Sequence, residues 1–290
     1  MKKAEQLIDV IPKMETYKKF GRVVRVVGLM IESQGPQCSV GDVCHIHIHD
    51  ALQPTEDSTI MAEVVGFREE IVILMPYTHI QEIGSGCLVE NTGHPLEVKV
   101  GMGLIGQVLD SLGNPIDGAP LPRGLTTVRT EQDPPNVLTR PPINDPLSVG
   151  VKAIDGMLTV GNGQRVGIFA GSGVGKSTLL GMIARNTVAD INVIALIGER
   201  GREVREFIER DLGPEGLKKT IVVAATSDQP ALMRIKGAFT ATAIAEYFRE
   251  KGYNVMLMMD SVTRVAMAQR EIGLAVGEPP ATRGYTPSVF

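Results

Sequence analysis

Arg165-Val-Gly-Ile-Phe-Ala170 is a short apolar run, and Gly171-Ser-Gly-Val-Gly-Lys-Ser177 follows it without a break. Thr178-Leu-Leu-Gly-Met-Ile-Ala-Arg185 comes next, with apolar residues at helical spacing. The order is strand, glycine-rich loop, helix. A helix start has unpaired N–H groups and the positive end of its dipole, so it attracts a dense anion. Gly171, Gly173 and Gly175 let the loop curl until successive N–H groups point the same way. That context makes the stretch a phosphate-binding loop for a nucleoside triphosphate. The cradle consists of Gly171, Ser172, Gly173, Val174, Gly175, Lys176, Ser177 and Thr178. Lys176 is expected to reach the β- and γ-phosphates and Ser177 to coordinate magnesium. Ala170 stands where the general pattern has glycine, and alanine fits there if its φ is negative.

Working outward, residues 147–290 alternate apolar β runs with helical patterns. The β runs are 165–170, Ile191-Asn-Val-Ile-Ala-Leu-Ile197, Thr220-Ile-Val-Val-Ala-Ala225 and Asn254-Val-Met-Leu-Met-Met259. They are nearly continuous in hydrophobicity, as strands buried on both faces are. A helix is predicted over about 230–250, opened by Asp228 and Pro230 and stopped at Gly252. Such alternation predicts an α/β domain with a doubly wound, mostly parallel sheet.

Ligands of such sheets sit beyond the carboxyl ends of the strands. Two acids stand at those ends besides the loop. Asp260 closes Val255-Met-Leu-Met-Met-Asp260 and is the expected magnesium partner. Glu199, in Ile197-Gly-Glu-Arg-Gly-Arg-Glu203, is the candidate to orient and deprotonate an attacking water. Arg200, Arg202 and Glu203 tune that acid or form a solvated charged turn. Arg264, one helical turn past Asp260, reaches the phosphates, braces the site or forms a plain salt bridge.

The first hundred residues differ in character. Residues 1–20 read as a short helix or loose arm interrupted by Pro12. Residues 21–100 hold short β-branched runs punctuated by Gly, Pro, Asp and Ser, which predicts a small β-barrel or sandwich. His45, His47 and His49 share one face of such a strand. Three imidazoles in a row along a flat strand do not converge on a tetrahedral ion, so a polar outer face is the reading adopted. Residues 101–146 form a Gly/Pro-rich connector. Seven prolines between 120 and 146 argue against regular structure over 119–146.

Composition sets bounds. The formal net charge of −4 over 290 residues gives no whole-chain reason for nucleic-acid binding. Cys38, Cys44 and Cys87 are odd in number and lack CxxC spacing, which fits a reducing cytosol better than a disulfide framework. No apolar run approaches membrane-spanning length, so any membrane association is expected to be peripheral.

Four runs together carry a resemblance: Gly161–Ser177, Gly198-Glu-Arg-Gly-Arg-Glu203, Met259-Asp-Ser-Val-Thr-Arg264 and Gly277-Glu-Pro-Pro-Ala-Thr-Arg-Gly-Tyr285. Their identity and order resemble the flagellar and type III secretion export ATPases, relatives of the catalytic subunits of rotary ATP synthases. The resemblance runs from about residue 21 to the end. It implies an N-terminal β-barrel, a RecA-like ATPase domain and a homohexamer with active sites between subunits. It also implies ATP with magnesium as ligands, and a role at the inner face of the cell membrane. The partners it implies are export-gate components, a regulatory subunit, chaperones and export substrates. By position, Glu199 resembles the catalytic glutamate, and Lys176, Ser177 and Asp260 the phosphate and magnesium residues. Family members continue past the position of Phe290. The continuation is expected to carry the adenine-stacking aromatic, an arginine finger and a helical domain. Ser172 and Ser177 in the loop fit export better than ATP synthesis, where Gly-Gly-Ala-Gly-Val-Gly-Lys-Thr is usual. An injectisome secretion ATPase shares nearly all of these motifs. A non-hydrolysing scaffold subunit would lack the glutamate at 199.

Overall fold

The structure, a computed structural model, describes residues 18–48, 59–80, 83–171 and 173–290. The predicted N-terminal arm falls almost wholly outside the described residues, as do His49 and the loop residue Ser172.

Short strands whose successive side chains point to alternate faces close a barrel. Its strands are β1 (Phe20–Val27), β2 (Met30–Gln34), β3 (Asp42–His47), β4 (Thr59–Arg68), β5 (Ile71–Pro76) and β6 (Leu88–Pro95). They close in the order β1-β2-β5-β4-β3-β6. The alternation sends Val23, Ile31, Ile46, Val64, Leu74 and Val89 into one interior cluster. On β3, Cys44 and Ile46 are buried, while His45 and His47 on the opposite face are half-buried. His47 Nε2 lies 3.3 Å from a Glu90 carboxylate oxygen. Burial pushes the Cys44 thiol up to about 12, so it behaves as a small apolar side chain.

The chain divides into two compact units between His94 and Pro95. The second begins with β7 (Glu97–Val100) and β8 (Val108–Leu109) and continues through β9 (Thr126–Arg129), which pairs antiparallel with β7. Its main sheet adds β10 (Ile191–Glu199), β11 (Thr220–Thr226) and β12 (Val255–Asp260), in the order β12-β10-β11-β8. All three pairings are parallel. Helices α1 (Lys152–Met157), α2 (Lys176–Asn186), α3 (Gly201–Glu206), α4 (Gly213–Leu217), α5 (Ala231–Glu250) and α6 (Val262–Val276) complete the unit, with a π-helical segment at Phe207–Leu212.

The sheet is covered on both faces. Ala238, Ala241, Ile244 and Phe248 of α5 pack with Val193, Ala195 and Val223. Leu180, Ile183 and Ala184 of α2, with Phe207 and Leu212, pack against Ile194, Leu196 and Val222. Consecutive strand residues therefore serve opposite cores, which is why the β runs are apolar throughout. Burying each such side chain contributes about 1.5–3 kcal/mol. This is the predicted α/β class: a parallel sheet covered by helices on both faces, preceded in the chain by a β-barrel.

Two local expectations require correction. Residues 119–146 were expected to hold no regular structure, yet β9 forms there. No proline occurs between Pro122 and Pro134, and that window suffices for a four-residue strand against β7. The connector is also tied to α5. The Thr240 hydroxyl donates to the Ser111 carbonyl at 2.6 Å, and the buried Lys236 ammonium donates to Glu131 at 2.6 Å. The second correction concerns residues 165–170, which read as a buried strand but form none. Phe169 is 97% exposed and Val166 58%. Among the described residues no strand pairs with this run, and an unpaired run has no ladder to satisfy its backbone.

Candidate functional site

The glycine-rich loop ends where α2 begins. Gly175 caps the helix with φ 93°, a left-handed conformation that a side chain makes costly. Gly173, at φ 76°, has the same requirement. The first turn of α2 thus starts at Lys176 with its N–H groups directed back toward the loop.

Gly171, Gly173, Gly175, Lys176, Ser177 and Thr178 all border one cavity of about 780 Å³. Glu199 and Arg200 from the end of β10 border it too, as do Asp260 from the end of β12 and Arg264 from the first turn of α6. Parallel strands put their carboxyl ends at one side of a sheet, which is why residues so far apart in sequence converge. Of the residues singled out in the sequence, Val174, which is 67% exposed, and Arg202 do not border the cavity.

Charge is concentrated here. The Lys176 ammonium donates to Asp260 Oδ1 at 2.5 Å, and the Asp260 side chain is only 5% exposed. The ion pair joins the loop to the end of β12. Burial is the main cause that raises the Glu199 carboxyl above the ordinary carboxylate range. The Asp260 charge and a hydrogen bond with Glu203 add to that rise, while Arg264 and Lys176 oppose it. Glu203 moves the other way, chiefly through the same hydrogen bond. Arg200 pairs with Glu203 at 3.2 Å, but the pair is largely solvated and adds under about 1 kcal/mol.

Several bordering groups were not picked out from the sequence. Phe207, Arg210 and Asp211 come from the π-helical segment. Asp211 is buried, and its Oδ1 lies 3.5 Å from the Thr178 hydroxyl, the outer limit of a hydrogen bond. Gly181 of α2 passes so close to the Asp211 carbonyl that an added Cβ would sit 2.4 Å from it. The π-helical segment therefore buttresses the phosphate-loop helix from behind. Nothing in the hydropathy pattern marks a π-helix, so this contribution was hidden.

The donor set suits a small hard cation. A hydroxyl at Ser177 and a nearly buried carboxylate at Asp260 border the same cavity, and magnesium prefers such oxygen ligands.

The fold and this strand-end cavity together define a nucleotide-binding domain that follows a β-barrel in the chain, and family models match both parts. Residues 150–290 match the nucleotide-binding domain of the ATP synthase alpha/beta family, and residues 23–93 match that family's beta-barrel domain. The chain belongs to the ATP synthase alpha/beta family. Among its relatives, the chain is 66% identical over 288 residues to the flagellum-specific ATP synthase of Bacillus subtilis (strain 168), covering 99% of this chain and 65% of the relative. It is also similar to a solved structure of the assembled ATPase EscN from the type III secretion system of enteropathogenic E. coli. Identity there is 46% and the TM-score 0.83, with 93% of this chain and 63% of the other covered. A second structure, EscN in complex with its central stalk EscO, gives 46% and 0.84, with 93% and 64% covered. The chain spans less than two thirds of the length of each of these relatives.

Proposed function

We propose that this chain forms the phosphate-binding and water-activating part of an ATPase that energises flagellar protein export. The observation that carries the chemistry is the convergence of Lys176, Asp260 and Glu199 on one cavity at the ends of two paired strands and a helix. In this reading the loop amides and Lys176 hold the β- and γ-phosphates. Ser177 and Asp260 hold magnesium, which when bound neutralises charge building on the phosphates. Glu199 orients the attacking water and accepts its proton, a task suited to a carboxyl held above its usual range. Arg264 balances the charge of Glu199. Arg200 steadies Glu203, which in turn hydrogen-bonds Glu199.

The 66% identity to a flagellum-specific relative supports flagellar export as the process served. The injectisome is the second reading, supported by the likeness to EscN. Assembly as a homohexamer, a stalk-type partner, export-gate components, a regulatory subunit, chaperones and substrates belong to this proposal. So does peripheral placement at the inner face of the membrane; among the described residues no helix is long and apolar enough to cross one.

The test is direct. In the full-length protein, Lys176→Ala is expected to weaken nucleotide binding at least about a hundredfold. Glu199→Gln is expected to keep binding but lose about a thousandfold in turnover. Wild-type turnover in Glu199→Gln would remove the base assignment. Expression of the full-length gene in a strain lacking its flagellar ATPase, or its injectisome ATPase, decides between the two processes by which defect it repairs.

A further inference from the structure

Gly198 lies between the buried Ile197 and the half-buried Glu199, where β10 ends. The ladder slips there: Ile197 pairs with Ala225, while Glu199 pairs with Thr226. The slip is a bulge, and a bulge re-aims the side chain that follows it. Gly198 makes it with φ 73°, in the left-handed region. On its other side Gly198 meets the first turn of α6. A Cβ added to Gly198 would lie 2.8 Å from Arg264 Cβ, 3.0 Å from Cγ and 3.3 Å from Cδ. Rotating the tip of Arg264 cannot relieve a contact with its own Cβ, so the turn of α6 itself would have to move. The guanidinium above that stem interacts electrostatically with the Glu199 carboxyl, and both residues border the cavity.

From these contacts we infer that Gly198 is a positioning residue for hydrolysis: its bulge aims Glu199 into the cavity, and its bare Cα seats the stem of Arg264 so that the guanidinium stands beside that carboxyl. The inference rests on the hydrolytic reading of the cavity. A plain turn glycine would need only its φ. Here the space of the missing side chain is occupied by another residue of the same site. One position thereby fixes both the acid and its counter-charge, from two elements that are not neighbours in sequence.

A bump-and-hole cycle tests this in the full-length protein. The variants are Gly198→Ala, Arg264→Gly and the double substitution, each measured for ATP turnover, nucleotide affinity and thermal unfolding. Gly198→Ala is expected to lower kcat by at least about thirtyfold, while nucleotide affinity stays within about threefold because the atoms nearest an added Cβ belong to Arg264 and not to the phosphate loop. Arg264→Gly removes every side-chain atom that an alanine at 198 would strike. Adding Gly198→Ala to it leaves only the cost of the left-handed φ, so the further loss in kcat and in melting temperature is expected to be several-fold smaller than the same change costs the wild type. Additive losses in an active enzyme overturn the inference alone. Absence of turnover in the wild type overturns the hydrolytic reading and this inference together. If Gly198→Ala does not fold, a folded double variant supports the seat, and an unfolded one overturns it.

Discussion

Residues 191–197 and 165–170 have the same apolar character, yet they meet opposite fates. Ile194 and Ile197 of β10 are fully buried, whereas Val166 and Phe169 face solvent. The difference lies in their neighbours. β10 has β11 on one edge and β12 on the other, with α2 and α5 packed on its two faces. The run 165–170 has no ladder partner among the described residues. Hydrophobicity qualifies a segment for a parallel sheet, but the hydrogen bonds and covering layers come from elsewhere. The consequence reaches the site. Glu199 and Asp260 are carried by laddered strands. The phosphate loop is reached through an exposed run, and is held from behind by α2 and in front by the Lys176–Asp260 ion pair. One cavity thus has a rigid side and a loosely anchored side.

Amide exchange is the sharpest way to break that contrast. In this chain the amides of Ile191–Ile197 are expected to exchange only on large-scale opening, while those of 165–170 exchange close to the unstructured rate. The expected ratio is at least about a thousandfold. Equal protection, read by hydrogen–deuterium exchange with mass spectrometry, would mean that 165–170 pairs in solution. A substitution pair asks the same question energetically. Ile194→Ala should cost about 2–5 kcal/mol, through lost transfer energy and the cavity left behind. Ile168→Ala, on the exposed run, should cost under about 0.5 kcal/mol. Denaturant unfolding reads both values, and a comparable loss at residue 168 would erase the distinction.

The same contrast explains what could be read from the sequence. The barrel was legible, as a barrel or a sandwich, because its strands are short β-branched runs cut by Gly, Pro, Asp and Ser; β3 also alternates, with Cys44 and Ile46 inside and His45 and His47 outside. Three of the four strands of the main sheet were legible as apolar runs closed by turns or acids. The cavity followed because Glu199 and Asp260 end such runs and Lys176 opens the helix that follows the glycine-rich loop. What escaped depends on partners distant in sequence. β9 exists because β7 pairs with it, and prolines on both sides of it concealed a free window. The failure at 165–170 is the mirror case, a good strand sequence without a partner. The π-helical buttress at Asp211 and the seat of Arg264 on Gly198 are contacts between elements, and no single stretch of sequence contains either one.

The ion pair between the two sides of the cavity yields a more modest effect and the most diagnostic sign. Lys176 contacts Asp260, yet the proposed function needs Lys176 on phosphate and Asp260 on magnesium. When Lys176 moves to a phosphate, the nearly buried Asp260 carboxylate loses its counter-charge and faces an incoming anion. With magnesium the cation replaces the lysine. Without it, binding must absorb the cost of an unpaired buried charge. Asp260→Asn removes that charge while keeping the shape. In EDTA it is therefore expected to bind ADP about tenfold more tightly than the wild type, because one like charge is gone from beside the phosphates. In excess magnesium the order should reverse, since an amide is a poorer ligand than a carboxylate for a hard cation. Titration calorimetry under the two conditions reads the crossing. Weaker binding of Asp260→Asn in both would show that the Lys176–Asp260 contact does not oppose nucleotide, and that the two sides of the cavity act independently.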